Sequence, residues 1–369
     1  MNVCYISEFD FRGSGYTNIS IGVVGQLARL GHKAIALGIG YRGDEHTLPL
    51  PVIPVNRMGF YEQLDAMVYN LCADGNKPDR LIIALDIPMQ DRLFNSLQKY
   101  GIPYVGIFPL EAPPLTMSWA LTLAQMHSCV VMSRYGTEEC LHQGIKAFYA
   151  PFGVDTAKWV PGTPEQRSTI RRALGIPPEN KVILTVADNQ ERKNLSAAIE
   201  IFAGLETPAT YLMVTKKSSP VGWLLEDFIM EKKVVGRVQL YDRGLPFDRL
   251  WMLYAIADAF LITSKAEGLG MPVLEAMSCG VPVVAPNHTS FAEHLGHGRG
   301  FLFDNAYAYR DPFGNEWRYF ADIPKGKAML ETCLNDSFGN RKQIITNAHE
   351  YINERTWDKV GEVLNAALA

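Results

Sequence analysis

The sequence predicts an α/β protein built from two doubly wound parallel-sheet domains. Short apolar runs alternate with helical patterns from one end of the chain to the other, as in parallel sheets with crossover helices. A turn-rich segment at 151–164 interrupts this series once. The length of 369 residues also exceeds the size at which a single core stops growing, which is about 250–300 residues.

The first half begins with a predicted strand at Val3–Ser7, followed by a helix at Ile19–Leu30 that ends before Gly31. Five more apolar runs, separated by polar segments, predict the rest of this sheet. They are Lys33–Leu37, Val52–Val55, Arg80–Leu85, Tyr104–Ile107 and Val130–Met132, and a last strand is predicted at Phe148–Ala150.

The second half repeats the pattern after the turn-rich segment. Its predicted strands are Val182–Val186, Thr210–Val214, Val238–Tyr241, Ala259–Leu261 and Val281–Val284. Helices are predicted at about 195–205, 222–232, 247–256, 272–279 and 290–295, and three more over about 326–369. We therefore expect domains at 1–153 and 154–350, with a C-terminal helix at 351–369 packing back on the first domain.

Composition is that of an ordinary globular protein, with 47% hydrophobic and 20% charged residues. The net charge of −4 gives no global attraction to nucleic acid or anionic lipid. No apolar stretch reaches the ~20 residues needed to cross a bilayer, and the first residues lack a signal-peptide pattern. Six scattered cysteines without metal-ligand spacing are typical of free thiols, so a cytoplasmic location is expected.

The segment Glu267-Gly-Leu-Gly-Met-Pro-Val-Leu-Glu275 is the most informative motif. A glycine-rich turn feeds into a helix, with Pro272 suited to the first helical position. Glu267 precedes the helix and Glu275 lies one turn inside it, beside the free amides of the helix N-terminus. Carboxylates flanking an anion-binding helix start suit a nucleotide-sugar, which has hydroxyls at each end and phosphates between them.

Adjacent cations, Arg192 and Lys193, follow the strand Val182–Val186 and precede a helix. An isolated Arg-Lys pair is more often a solvated surface feature. Upstream of the Glu267–Glu275 motif, however, the pair is placed to neutralise a diphosphate, because arginine offers a bidentate fork and lysine a point charge.

The stretch from Leu253 to Ala285, with Phe152-Gly-Val-Asp155 and Arg192-Lys-Asn194, resembles glycosyltransferase family 4, among the group 1 glycosyl transferases. Ser290-Phe-Ala-Glu293 and Trp357 also match. The resemblance is strong over 148–300 and looser before it. It implies the GT-B fold, in which two Rossmann-like domains face a central cleft, and transfer of sugars with retention of configuration.

The resemblance also implies roles, position by position. Glu275 holds the donor ribose, and Glu267 meets the donor sugar near the amides of Gly268, Leu269 and Gly270. Lys193 and Arg192 hold the diphosphate, although the family often has an arginine where this chain has Asp188. The loop Tyr241–Pro246, with Arg243, falls where the family binds the nucleotide base.

Weaker candidates come from the first half. Gly13 and Gly15 form a turn between a strand and a helix that suits donor phosphates, but an ordinary tight turn is an even alternative. Glu111 follows a predicted strand and is our candidate for contact with the reacting sugar, against a solvated loop residue. Asp86 is a weaker candidate for acceptor contact. The missing third glycine argues against NAD binding.

No metal site is expected. Asp44-Glu-His46 is typical of a solvated loop, no D-x-D motif is present, and His127, His288, His294 and His297 lack ligand spacing and are expected to be structural or surface groups. Two glutamates also occur in retaining hydrolases, but the Arg-Lys pair favours phosphate chemistry.

The expected function is therefore a retaining, metal-independent glycosyltransferase with front-face attack, which uses a UDP- or GDP-sugar and needs no cofactor. Two alternatives stay open: a nucleotide-sugar epimerase or hydrolase of the same fold, and a non-catalytic nucleotide-sugar binding protein. The acceptor, whether glycan, lipid-linked sugar, small molecule or even modified DNA, is not determined, although unmodified nucleic acid is not expected. Peripheral membrane contact and the oligomeric state also stay open.

Overall fold

The computed structural model describes residues 1–10, 15–312, 314–336 and 339–369. The chain divides into two compact units. Unit 1 comprises Met1–Phe152, Phe313–Glu316 and Thr356–Ala369, and unit 2 comprises Gly153–Pro312 and Trp317–Arg355.

Unit 1 is built on a seven-stranded sheet in the order β3-β2-β1-β4-β5-β6-β7, and every neighbouring pair is parallel. Its strands are β1 Asn2–Glu8, β2 Lys33–Ile39, β3 Val52–Val55, β4 Arg80–Ala84, β5 Tyr104–Phe108, β6 Ser128–Val131 and β7 Ala147–Tyr149. The helices between them are α1 Gly15–Arg29, α2 Phe60–Ala73, α3 Ile87–Leu97, α4 Met117–Leu123 and α5 Arg134–His142. A reversal of strand order around β1 gives the doubly wound topology.

Unit 2 is built on a six-stranded parallel sheet in the order β10-β9-β8-β11-β12-β13. Its strands are β8 Lys181–Val186, β9 Ala209–Val214, β10 Val238–Tyr241, β11 Ala259–Leu261, β12 Val283–Pro286 and β13 Phe301–Phe303. Its helices are α6 Pro164–Ala173, α7 Leu195–Ala203, α8 Leu225–Glu231, α9 Phe247–Ile256, α10 Met271–Ser278, α11 Thr289–Leu295, α12 Ile323–Asn335 and α13 Arg341–Asn353.

The last helix, α14 Trp357–Leu368, belongs to unit 1 and packs on α1. The indole of Trp357 fills the space beside Gly22, where an added Cβ would come within 2.1 Å of the ring. Gly22 therefore lets the two helices approach closely.

The predicted pair of parallel-sheet domains is confirmed, but two strand features were missed. The second sheet has one more strand, β13, and unit 2 carries an antiparallel hairpin of β14 Asn305–Arg310 and β15 Trp317–Ala321. The hairpin has a sequence signal, since Asp-Pro-Phe-Gly-Asn at 311–315 is rich in turn residues. The predicted strand at Val281–Val284 begins later, at Val283.

Asp258, just before β11, joins several elements of unit 2. Its carboxylate accepts hydrogen bonds from Arg167 at 2.9 Å, from the Val182 amide at 2.7 Å and from Arg171. These contacts tie α6 to the first strand of the sheet. The carboxylate is 16% exposed, so water compensates little for its loss.

We predict that Asp258→Asn lowers the free energy of unfolding by about 3 kcal/mol, because two guanidinium groups lose their shared anion in a partly buried setting. Urea denaturation measures this. The control is Asp304→Asn, whose pair with Lys325 is exposed on both sides and is worth well under about 1 kcal/mol. Equal effects of the two substitutions would contradict a structural role for the Asp258 cluster.

Candidate functional site

Charged side chains collect at the carboxyl ends of four neighbouring strands of unit 2. Arg192 and Lys193 follow β8, Lys216 follows β9, Arg243 follows β10, and Glu267 follows β11. In the order β10-β9-β8-β11 these strands are adjacent, so their ends form one edge. Ligands of open α/β sheets bind outside the carboxyl ends of the strands.

Glu267 lies at the centre of this edge. Its Oε2 accepts a hydrogen bond from Lys193 Nζ at 2.5 Å and lies 3.7 Å from a terminal nitrogen of Arg192. Burial alone would raise the pKa of Glu267, but Lys193 and Arg192 lower it below its usual value. Glu267 is therefore ionised at neutral pH although its side chain is only 10% exposed.

The backbone around Lys193 is fixed to the β11 loop. The Arg192 side chain donates to the Ala266 carbonyl at 2.7 Å, and the Lys265 amide donates to the Arg192 carbonyl at 2.8 Å. Asn194, in the left-handed region at φ 51°, ends the short turn that presents the two cations and starts α7. The loop after β8 and the loop after β11 therefore hold each other in position.

The glycine-rich turn leads into α10 through Gly270, whose φ of 74° favours glycine. Met271 rather than Pro272 takes the first helical position, so the predicted helix start was one residue late. His294 Nε2 lies 2.7 Å from the Leu269 carbonyl, and its Nδ1 lies 2.8 Å from Tyr351 Oη. Burial lowers the pKa of His294 well below its usual value, so a neutral imidazole holds this turn.

Glu275 lies in the second turn of α10 and is buried, with 5% of its surface exposed. Burial raises its pKa to about 7, while the hydrogen bond from Tyr254 acts in the opposite direction. Tyr254 Oη donates to Glu275 Oε2 at 2.7 Å. The Tyr254 ring packs edge-on against Trp159 and stacks on Phe260, which fixes its direction.

Asp188, in the loop after β8, binds two cations. Arg243 donates to its Oδ2 at 2.8 Å, and Lys216 Nζ lies 3.4 Å from Oδ1. The buried Asn189 side chain donates to the carbonyls of Lys216 and Trp223. Asp188 therefore links the loop after β8 to cations in the loops after β9 and β10.

In unit 1, Glu111 follows β5 and is half-buried. Its carbonyl accepts from Tyr135 Oη at 3.1 Å. Tyr16, at the start of α1, donates to Asp86 at 2.7 Å, and burial, Asp86 and Glu111 together raise the Tyr16 pKa well above its usual value. Tyr16, Asp86 and Glu111 thus form one polar cluster.

The remaining candidates of unit 1 are the two glycines. Gly15 is the first residue of α1, and an added Cβ there would meet open space, so packing does not require glycine. Gly13 lies outside the described residues. Within 1–10, 15–312, 314–336 and 339–369, no cluster of three or more His, Cys, Asp or Glu residues could hold a metal ion. No helix in these ranges is both long and apolar enough to span a membrane.

Residues 166–309 match the model of the family described as "Glycosyl transferases group 1". These residues are therefore similar to group 1 glycosyltransferases. They contain the cations after β8, β9 and β10 and both Glu267 and Glu275.

Among curated relatives, the chain is 36% identical to the O-antigen chain mannosyltransferase B of Escherichia coli, over 31% of this chain and 30% of the relative. It is 24% identical to the GDP-mannose-dependent monoacylated alpha-(1-6)-phosphatidylinositol monomannoside mannosyltransferase of Corynebacterium glutamicum, over 60% of this chain and 55% of the relative. The chain therefore spans about half or less of the length of these relatives.

Among solved structures, Anabaena Alr3699/HepE in complex with UDP and glucose is similar over 100% of this chain and 99% of its own, with a TM-score of 0.75 and 16% identity. At this identity the likeness shows the fold alone. Together with the two parallel sheets, it confirms the expected GT-B class.

Sequence reasoning missed two residues that support these loops, Lys216 and Tyr254, whereas His294 was expected to be a structural or surface group and is buried and structural. Tyr254 and His294 sit at apolar helix positions and look like core residues. Lys216 lies in a Lys-Lys-Ser-Ser run typical of an exposed loop. A signal for Lys216 was its position directly after a strand, at the same edge as Lys193.

We predict that Glu275 makes the protein less stable as pH rises. Its folded-state pKa of about 7 lies above the usual 4.5, so the unfolded chain releases this proton first. The stabilising contribution is complete below about pH 4.5 and lost as pH rises through about 7. Between pH 5 and pH 8, the free energy of unfolding of the unmodified chain should therefore fall by about 3 kcal/mol more than that of the Glu275→Gln variant. Urea midpoints at both pH values measure it, and the exposed Glu350→Gln should show no such difference.

A second prediction concerns Tyr254→Phe. The ring and its stacking remain, but the hydrogen bond that lowers the Glu275 pKa is lost. The midpoint of the pH-dependent change in stability should therefore move to higher pH. A midpoint that stays in place or moves lower contradicts the assignment of this proton to Glu275.

Proposed function

We propose that this chain is a glycosyltransferase that moves a hexose from a nucleoside-diphosphate sugar to an acceptor hydroxyl, with retention of configuration and without a metal ion. The observation that carries the proposal is the charged edge of unit 2. Four cations, Arg192, Lys193, Lys216 and Arg243, collect there around two carboxylates, Glu267 and Asp188, and such a group of cations suits a diphosphate.

The donor is gripped at three places in this proposal. Glu275 accepts the ribose hydroxyls, and Arg243 lies beside the base. Lys193 and Arg192 hold the diphosphate with the amides of Gly268, Leu269 and Gly270, which precede the N-terminus of α10. A GDP- or UDP-sugar is the expected donor, because one relative is named as GDP-mannose-dependent and the solved structure of similar fold is a complex with UDP and glucose.

In the chemical step, the acceptor oxygen forms a bond to the anomeric carbon while the bond from that carbon to the diphosphate oxygen breaks. The acceptor proton passes to the departing diphosphate, which leaves as a nucleoside diphosphate. Negative charge grows on the diphosphate as its bond breaks, so Lys193 and Arg192 contribute most in the transition state. Glu267 lies beside these cations and contacts the transferred sugar.

We propose that unit 1 supplies acceptor contacts through its polar cluster of Tyr16, Asp86 and Glu111. The names of the relatives favour a glycan or lipid-linked acceptor. All six cysteines are unpaired thiols and five of them are buried, which supports a reducing, cytoplasmic setting.

The function is tested by thermal-shift screening with UDP-, GDP-, ADP- and dTDP-sugars, followed by mass spectrometry with and without glycan acceptors. Stabilisation by a donor and glycoside formed only with acceptor support the proposal. Free sugar or an epimer formed from donor alone indicates a hydrolase or epimerase. Binding without any product indicates a binding protein. No stabilisation by any of the four donors overturns the assignment.

We predict that Lys193→Ala lowers kcat by about 100-fold or more, because it removes a cation aimed at the departing diphosphate. Glu275→Ala should instead mainly weaken donor binding. Steady-state kinetics and calorimetric titration separate these effects. The control is Lys327→Ala. Lys327 lies in α12 and pairs with the exposed Glu206, so its loss should leave both kcat and donor affinity unchanged.

A further inference from the structure

Two buried polar atoms next to the Glu267 loop have no hydrogen-bond partner in the part of the chain that the structure describes. They are Nε2 of His288 and Oγ of Ser290, in residues that are 5% and 0% exposed. Buried side-chain donors and acceptors are satisfied in the large majority of cases, so such exceptions call for a physical explanation.

His288 is the residue before α11 and Ser290 lies in the first turn of that helix, and this segment is hydrogen-bonded to Glu267. The Glu267 amide donates to Thr289 Oγ1 at 3.3 Å, and the Ser290 amide donates to the Glu267 carbonyl at 3.2 Å. Against the larger effect of burial, which lowers the pKa of His288, the Ser264 backbone and the negative charge of Glu267 both raise it. Glu267, His288 and Ser290 therefore lie together.

Thr289 holds this segment in a strained conformation. Its φ of 45° is in the left-handed region, which is a genuine outlier for a β-branched residue. Such strain costs about 1–3 kcal/mol and persists where the surroundings enforce it, often at ligand sites. Here the bond from the Glu267 amide to Thr289 Oγ1 contributes to that enforcement.

Neighbouring side chains set the plane of the His288 ring. It stacks on Tyr319 of β15, with ring centroids 4.7 Å apart and an interplanar angle of 12°. Its Nδ1 lies 3.0 Å from Thr289 Oγ1. Thr289 Oγ1 can donate its hydroxyl proton to Nδ1, and in that tautomer the imidazole proton lies on Nε2. Burial lowers the pKa of His288 to about 4, so the ring is neutral at pH 7.

We propose that His288 Nε2 and Ser290 Oγ determine donor-sugar specificity by binding hydroxyls of the transferred sugar, and that this sugar is a neutral hexose. This inference rests on the proposed function. A sugar hydroxyl can accept from Nε2–H and donate to the Glu267 carboxylate at the same time, while Ser290 can donate to or accept from a neighbouring hydroxyl. A uronic acid would bring a second carboxylate beside Glu267, where Lys193 and Arg192 already pair with Glu267 and a neutral imidazole adds no charge to offset the repulsion.

The test compares nucleotides with and without the sugar by calorimetric titration of the full chain. The probes are GDP, GDP-mannose, UDP, UDP-glucose and UDP-glucuronate. His288→Phe keeps a ring to stack on Tyr319 but loses Nε2–H, so affinity for the neutral nucleotide-sugar should fall about tenfold, the value of one lost hydrogen bond. Affinity for the matching free nucleotide should stay unchanged. His288→Gln, which can place an amide N–H near Nε2, should recover part of the loss.

Ser290→Ala is a second, smaller change. It should likewise lower the affinity for the nucleotide-sugar and leave the affinity for the free nucleotide unchanged. The matched control is His349→Phe, because His349 also has a buried Nε2 without a partner in the described residues but lies in α13 beside Gly280. It should alter neither affinity.

Each outcome decides between the two proposals. If the unmodified chain binds no nucleotide, the proposed function fails and this inference fails with it. If nucleotides bind but His288→Phe and Ser290→Ala leave the nucleotide-sugar affinity unchanged, or weaken both ligands equally, this inference alone is overturned. UDP-glucuronate binding as tightly as UDP-glucose overturns the neutral-hexose assignment.

Discussion

The ion pair between Lys193 and Glu267 is the contact on which the site of unit 2 depends. It joins the loop after β8 to the loop after β11, and both side chains are largely buried. Removing either partner breaks a largely buried ion pair, which costs several kcal/mol, about 3–5 for a fully buried pair. Because Arg192 also binds the Ala266 carbonyl, the positions of both cations and of the start of α10 are set together.

A second set of side chains, mostly neutral, holds the charged side chains of this site in place. His294 fixes the Leu269 carbonyl, Tyr254 fixes Glu275, and Asn189 ties the loops after β8 and β9 together. Neutral hydrogen-bonding partners orient the charged groups without cancelling their charge. The pKa values of the two glutamates move in opposite directions, because Glu267 is paired with cations and Glu275 is buried beside Tyr254.

The hairpin of β14 and β15 gives this chain a feature outside the two sheets. The Tyr319 amide donates to the Lys265 carbonyl at 2.8 Å, and Lys265 Nζ lies 4.3 Å from the Phe320 ring centroid. The hairpin therefore packs on the segment just before Glu267, and Tyr319 orients His288. In the proposed transferase, an element added at the sheet edge thereby shapes the sugar end of the donor site.

The sequence by itself determined most of the local elements. Short apolar runs and helical patterns located most strands and helices, and the spacing of Glu267 and Glu275 around a glycine-rich turn indicated a helix start suited to phosphate binding. Only the tertiary structure decided which distant residues meet them. Asp188 collects Arg243 and Lys216, Tyr254 reaches Glu275 across 21 positions, and Tyr319 stacks on His288. Side chains that look like core or loop residues in sequence gain a role only through strand order, because parallel sheets bring ends far apart in the chain to one edge.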